Sequence, residues 1–329
     1  MKKRTFGRTG WDVSEIGFGG WAIGGGWGAQ DDGDSLKALH TALDHGVNFI
    51  DTAAGYGNGH SERLIGQVLK ERGETSVKVA TKIPLTGPGP WPPAARDRHE
   101  VRLPESYLRE NLEERLSCLG RDSVDVIQLH TWTRAWNADP KPLEFLQKMK
   151  REGKVRAVGV STPEHDQNCV IELMREGLVD SVQVIYNIFE QEPAAQLFPV
   201  AMETNTAVIV RVAFDEGVLT GKYDETMEFP EGDFRRNYFA GDRLARSVKR
   251  VQKFKAELDG LEDHDLTLPQ TALKFALAEP AVTTVIPGMR TVEQAEKNTA
   301  VSDLPPLSTS ALECLYRHPW RRAFWYGGK

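Results

Sequence analysis

The apolar residues of this chain fall into short, nearly unbroken runs, separated by stretches with helical spacing. Val47-Asn48-Phe49-Ile50-Asp51 is one such run, and it ends in a carboxylate. Glycines then bend the chain around Tyr56, and Leu64, Ile65, Val68 and Leu69 mark one face of a helix that runs through Lys70. That unit of strand, loop and helix recurs. Strands are predicted over 16–21, 47–51, 77–81, 124–130, 155–161, 181–187, 207–211 and 282–286. Helices are predicted over 34–45, 104–119, 142–151, 165–175, 193–203, 244–258, 268–278 and 292–300. The 104–119 helix has Pro104 at its start and Gly120 just past its end, the usual asymmetry of helix termini. Asp34 is the expected N-cap of the first helix.

Near-continuous apolar strands are buried on both faces, as in a parallel sheet. Eight strand–helix units in a chain of 329 residues predict an α/β fold, a closed (β/α)8 TIM barrel, formed by one domain over 1–329. Runs at 3–6 and 13–16 flank Gly7-Arg8-Thr9-Gly10 and predict an N-terminal β-hairpin ahead of the barrel. Residues 218–241 read as a long loop, and 304–329 as a Pro- and aromatic-rich C-terminal tail with a helix near 308–316. The rival fold, an open doubly wound sheet, needs a glycine-rich phosphate turn that opens a helix after the first strand. Gly24 to Gly28 is glycine-rich, but no helix starts on it.

With 40% hydrophobic and 27% charged residues, the composition is that of a globular protein. A formal charge of −6 speaks against nucleic acid or an anionic membrane as partner. No apolar run approaches the roughly 20 residues that span a bilayer, and the first residues lack a signal-peptide core. Cys118, Cys169 and Cys314 have no metal-ligand spacing and fit reduced thiols of a cytoplasmic protein.

Barrel chemistry gathers at the C-terminal ends of the strands. Those ends carry Trp21, Asp51, Lys82, His130, Ser161, Gln183, Tyr186, Asn187 and Arg211, with Tyr56 on the loop after Asp51. Singly, each has an ordinary reading: a solvated turn, a structural Asp51–Lys82 ion pair, a core histidine. Together a carboxylate, a phenol, an ammonium and an imidazole suit proton delivery to a carbonyl oxygen. A neighbouring ammonium is expected to lower the phenol's pKa and to stabilise negative charge on the substrate. Asp51 would hold that ammonium, and His130 would orient the oxygen. A metal-dependent hydrolase would need several His or Asp at ligand spacing. The first strand ends Gly19-Gly20-Trp21, so no metal is expected.

The sequence resembles the aldo-keto reductase superfamily, in its bacterial, long-loop form. The resemblance runs from about Arg4 to about Ala300 and rests on residues in a fixed order. These are Asp51-Thr52-Ala53 with Tyr56-Gly57, Ser61-Glu62, Thr81-Lys82, Gln128-Leu129-His130 and Gly159-Val160-Ser161. Gln183 with Tyr186-Asn187, Gly217 to Tyr223, and Ile286-Pro287-Gly288 complete them. The resemblance implies reduction of aldehydes or ketones to alcohols without metal, by hydride transfer from NADPH, with NADH the less favoured cofactor. Tyr56 is then the general acid, Lys82 paired to Asp51 tunes it, and His130 positions the carbonyl.

For the cofactor, the resemblance implies Ser161 and Gln183 on the nicotinamide carboxamide, and Gly217, Leu219, Gly221 and Lys222 on the pyrophosphate. Gly288, Arg290, Gln294 and Asn298 fall at the adenosine end, with Arg290 the candidate for a 2′-phosphate. Two positions depart from the family: Thr162 replaces an amide, and Arg211 stands where an aromatic residue stacks on the nicotinamide. Trp21, Trp27, Trp91 and Trp132 are expected to wall the substrate site, with Trp320, Phe324 and Trp325 nearby from the tail. The basic run 317–322 reads as a solvated tail. The competing function is a slow-turnover redox sensor or channel-associated subunit that keeps the fold and binds cofactor. The partner in the first reading is a small-molecule carbonyl compound, and nothing in the sequence fixes an oligomeric state.

Overall fold

The computed structural model describes residues 1–324; Trp325 lies outside them. Strands β1 (Lys3–Phe6) and β2 (Trp11–Ser14) form the antiparallel hairpin, turned by one 3-10 segment at Gly7–Thr9. Eight parallel strands follow: β3 (Phe18–Gly19), β4 (Phe49–Asp51), β5 (Lys78–Pro84), β6 (Val124–His130), β7 (Val155–Ser161), β8 (Ser181–Ile185), β9 (Ala207–Arg211) and β10 (Val282–Val285). They pair in sequence order. The sheet closes where the amide of Gly17 donates to the Val285 carbonyl at 2.8 Å and that of Gly19 to the Pro287 carbonyl at 3.0 Å.

That seam explains the glycines of the first strand. A Cβ at Gly19 would lie 2.5 Å from the Ile286 carbonyl oxygen, and one at Gly20 2.8 Å from that of Asp51. They permit close backbone approach at the seam.

Side chains alternate along each strand, so every second residue points into the barrel. Phe49, Ala80, Val126, Ala157, Ala207 and Ile209 make the lower inner layer, and Phe6 and Val13 of the hairpin plug it from below. Phe6 and Phe49 stack at 5.4 Å. Two residues further along, the same faces carry Asp51, Lys82 and Gln128 in place of apolar groups. The barrel thus changes from a dry floor to a polar top within one strand period.

Several boundaries differ from expectation. The first helix is Asp32–Asp44, capped by Asp31, whose carboxylate accepts from the Asp34 amide at 3.1 Å. Lys82 lies inside β5, which runs on to Pro84. The 165–175 and 193–203 helices each begin with a 3-10 turn and shorten to Ile171–Arg175 and Leu197–Glu203. The 218–241 segment is not featureless. It holds a 3-10 turn at Val218–Thr220, a short helix at Arg235–Tyr238, and an aromatic cluster of Tyr223, Phe229 and Phe239.

The basic tail is docked against the body. Arg322 pairs with Asp215, Arg321 with Glu192 at 2.7 Å, and Arg317 with Glu257 at 3.2 Å. Trp320 and Phe324 are buried against Phe189 and Tyr238 and stand apart from the strand-end cavity. Among the described residues no helix is long and apolar enough to cross a membrane.

Candidate active site

Asp51 is the hub of the polar top. Its Oδ1 accepts from Lys82 Nζ at 2.5 Å, and its Oδ2 from Gln183 Nε2 at 2.7 Å and Gln128 Nε2 at 3.2 Å. Lys82 also donates to the Thr52 carbonyl at 2.8 Å and to the Tyr56 hydroxyl at 3.3 Å. Asp51, Lys82 and Tyr56 are therefore one connected network.

The loop that carries Tyr56 is set by the first turn of the next helix, His60–Glu71. Ser61 Oγ donates to the Gly20 carbonyl at 2.8 Å and accepts from Thr52 Oγ1 at 2.9 Å. Glu62 is fully buried; Thr81 Oγ1 donates to it at 2.5 Å and Arg115 Nη1 at 2.8 Å. This gives the Ser61-Glu62 motif its work: it locks the tyrosine loop to β3, β4 and β5.

Burial raises the Tyr56 phenol above its ordinary pKa of 10, and the opposing pull of Lys82 does not cancel it. The expectation of a lowered phenol pKa is thereby corrected: desolvation of the phenolate outweighs the ammonium. Burial alone would also strip the Lys82 proton, yet Asp51 and Tyr56 outweigh it and hold the ammonium above its usual range. His130 is pushed down to about 3 by burial, with Lys82 and Arg211 adding to the effect. At neutral pH the site therefore holds a neutral phenol, a cation and a neutral imidazole.

Asp51, Tyr56 and His130 floor a cavity of about 720 Å³, with Lys82 buried behind them, within the range of small-molecule and cofactor sites. Trp21, Trp27 and Trp91 line it. Trp21 stacks on Tyr56 at 6.1 Å, and Trp91 stands edge-on to His130 at 5.5 Å. Trp91 is held there by Arg102, whose Nε donates to the Thr86 carbonyl at 2.8 Å and Nη2 to the Pro90 carbonyl at 3.2 Å. Trp132 is a correction. It is fully buried against Trp136 and takes no part in the cavity, because its strand-end turn folds it inward between loops. Tyr186 and Asn187 are structural as well. Tyr186 packs on Phe275 and donates to Glu279, and Asn187 braces the Val212 carbonyl.

The expected cofactor residues divide. Gln183, Arg211, Gly217, Lys222, Gly288, Arg290, Gln294 and Asn298 line the cavity. Leu219 turns its side chain into the core, and Gly221, exposed and with φ +70°, lies outside the cavity lining. Ser161 is buried below the cavity, its hydroxyl 3.5 Å from Gln183 Oε1. Thr162 turns its hydroxyl to the Gln183 carbonyl at 3.1 Å. Arg211 is pinned by Glu164 at 3.0 Å and by the Thr162 carbonyl at 3.1 Å, while its Nε is buried without a hydrogen-bond partner. Arg290 holds the loop after β3: it donates to Gln30 Oε1 at 2.7 Å and to the carbonyls of Trp27 at 3.0 Å and Ala29 at 2.5 Å.

The structure adds Glu164, Glu216, Arg235 and Lys297 to the cavity wall. Glu216 had a signal in the sequence, the acidic pair Asp215-Glu216 directly before the Gly217 strap. It is 3% exposed with one oxygen unpartnered, and burial pushes its carboxyl up to about 8 against the opposing Arg211. An unfolded glutamate titrates near 4.5. Between those values the folded chain holds a proton that the unfolded chain has lost, so this residue's effect on stability worsens as pH rises across that window. Glu216→Gln should therefore raise the melting temperature by little at the acid end of the window and by several degrees at its alkaline end. Thermal melts across that range check it; a gain that does not grow with pH contradicts the assignment.

The sequence profile of the Aldo/keto reductase family matches residues 15–317. The aldo-keto reductase YhdN of Bacillus subtilis is 31% identical over 303 residues, covering 90% of this chain and 87% of its own. The NADH-specific methylglyoxal reductase of Escherichia coli is 28% identical over 324 residues, covering 92% and 94%. Among solved structures, the holo form of aldo-keto reductase AKR11C1 from Bacillus halodurans gives a TM-score of 0.76 at 24% identity, over 97% of this chain and 96% of that one, a likeness of fold. The profile spans nearly the whole barrel and the identity to YhdN extends along it, so the chain belongs to the aldo/keto reductase family of NAD(P)H-dependent oxidoreductases.

Proposed function

We propose that the chain reduces aldehydes or ketones to alcohols with NADPH, Tyr56 giving the proton. One observation carries this reading: Lys82 Nζ reaches both Asp51 and the Tyr56 hydroxyl at the floor of an aromatic cavity. The bound nicotinamide would supply the hydride. The chain's own part is to place the carbonyl oxygen between the Tyr56 hydroxyl and the neutral His130 ring, and to move the proton from Tyr56 as charge develops. Lys82, fixed by Asp51, stabilises the phenolate left behind. The residues present fit a dinucleotide: Arg211 lines the cavity with its buried Nε unpartnered, and Lys222, Arg290 and Lys297 bring cationic side chains to the same lining. The flat walls of Trp21 and Trp91 favour apolar or aromatic carbonyl compounds.

Reduced cofactor deuterated at C4 tests hydride transfer. The label should appear on the carbinol carbon of the product; an unlabelled carbinol carbon refutes the mechanism.

NADPH is favoured over NADH because Arg290 has N–H donors beyond the three it uses on the 27–30 loop, and because Lys222 and Lys297 line the same cavity. Arg290→Ala should raise KM for NADPH by about tenfold or more, with a much smaller change for NADH. Equal changes would confine Arg290 to holding the loop.

A further inference from the structure

Gln128 lies beneath the catalytic groups and outside the cavity wall. Strand β6 points it inward, level with Lys82 on one neighbour and Gly159 on the other. The glycine makes room for it. A Cβ at position 159 would stand 3.2 Å from Gln128 Cγ and 2.5 Å from Ser181 Oγ. The Gln128 amide nitrogen donates to Asp51 Oδ2, and its Oε1 is buried with no hydrogen-bond partner. A buried carbonyl without a partner is destabilising, and an apolar side chain of the same shape would avoid that cost. The bond to Asp51 is what this glutamine adds that a leucine cannot.

We propose that Gln128 is a positioning residue for the reduction. With Gln183 it fixes the Asp51 carboxylate so that Oδ1 faces the Lys82 ammonium, and it thereby keeps Tyr56 a competent acid. The proposal rests on reading Tyr56 as that acid. The two amides differ in their freedom. Gln183 lines the cavity, so a contact to a bound nicotinamide competes with its bond to Asp51. Gln128 touches no part of the cavity and remains on Oδ2 when Gln183 turns away. The device keeps Asp51 oriented whether or not cofactor is present.

The test compares Gln128→Leu and Gln128→Glu with the parent enzyme in aldehyde reduction, from about pH 6 to 9, with cofactor affinity measured by fluorescence. Neither Tyr56 nor His130 titrates in that range, but Glu216 of the cavity wall, pushed up to about 8, does, so each variant's profile is read against the parent's own. Gln128→Leu should lower kcat by about tenfold, the scale of a small misplacement, and leave cofactor affinity within about twofold. Gln128→Glu can donate to Asp51 only while protonated. Burial and the adjacent Asp51 carboxylate raise its pKa, against the downward pull of the Lys82 ammonium level with it on β5. Its kcat should approach the parent value at the acid end and fall along a new one-proton limb as pH rises. A purely structural role would lower the melting temperature of both variants and leave the shape of the pH profile unchanged, which overturns the proposal. If Gln128→Glu does not fold, an unchanged kcat in Gln128→Leu overturns it alone. Tyr56→Phe run alongside separates the failures. Activity in that variant sinks the acid assignment, whereas an inactive Tyr56→Phe beside unaltered Gln128 variants overturns only the positioning role.

Discussion

Tyr56→Phe should lower kcat for carbonyl reduction by about 10²–10⁴-fold, the usual contribution of a general acid, and leave cofactor binding nearly intact. The substitution removes one hydroxyl from a site whose other members are held independently. Lys82 keeps its bonds to Asp51 Oδ1 and the Thr52 carbonyl, and Asp51 Oδ2 keeps both amides. The ring stays stacked near Trp21, so the wall of the cavity is preserved. A stopped-flow titration of cofactor fluorescence beside steady-state turnover checks both halves. Activity near the parent level in this variant would mean that another group, or water, delivers the proton.

Lys82→Met should cost both activity and stability. The ammonium is 1% exposed and Asp51 is almost equally buried, so removing the cation leaves a buried carboxylate facing only two neutral amides. Breaking a buried pair from one side costs about 3–5 kcal/mol. The melting temperature should fall well below that of the parent, and kcat should fall with it, because the phenolate loses its stabilising charge. Adding Asp51→Asn should recover much of the lost stability and none of the activity. Calorimetric melts of the single and double variants, with turnover measured on each, test this. A double variant as unstable as the single would show that the charge on Asp51 is not the source of the loss.

The barrel was legible because its signal is a repeat: eight apolar strands, each followed by a helical pattern, leave few other folds. Boundaries were harder to read. The 171–175 helix starts late because a 3-10 turn precedes it, and the first strand is short because its glycines serve the closing seam. Asp51, Tyr56, Lys82 and His130 were readable as a set, since strand ends converge on one mouth. The electrostatics were not. That burial outweighs Lys82 at the phenol depends on how the walls of the cavity enclose Tyr56.

Trp132 shows the limit of placing a side chain from its position in a loop, because the turn decides whether it faces the mouth or the interior. The same limit hid the fate of Arg290, now spread across Trp27, Ala29 and Gln30, and the docking of the basic tail on Asp215, Glu192 and Glu257. Those contacts join segments far apart in the chain, and nothing local in either partner announces them.

The measurement that bears most directly on the account is turnover itself: loss of reduced nicotinamide, NADPH and NADH in parallel, against a panel of aliphatic and aromatic aldehydes and ketones. The account predicts carbonyl-dependent oxidation, faster with NADPH and strongest with flat, apolar aldehydes. Tight cofactor binding without turnover on any carbonyl would contradict it, and would favour a cofactor-binding sensor built on the same barrel.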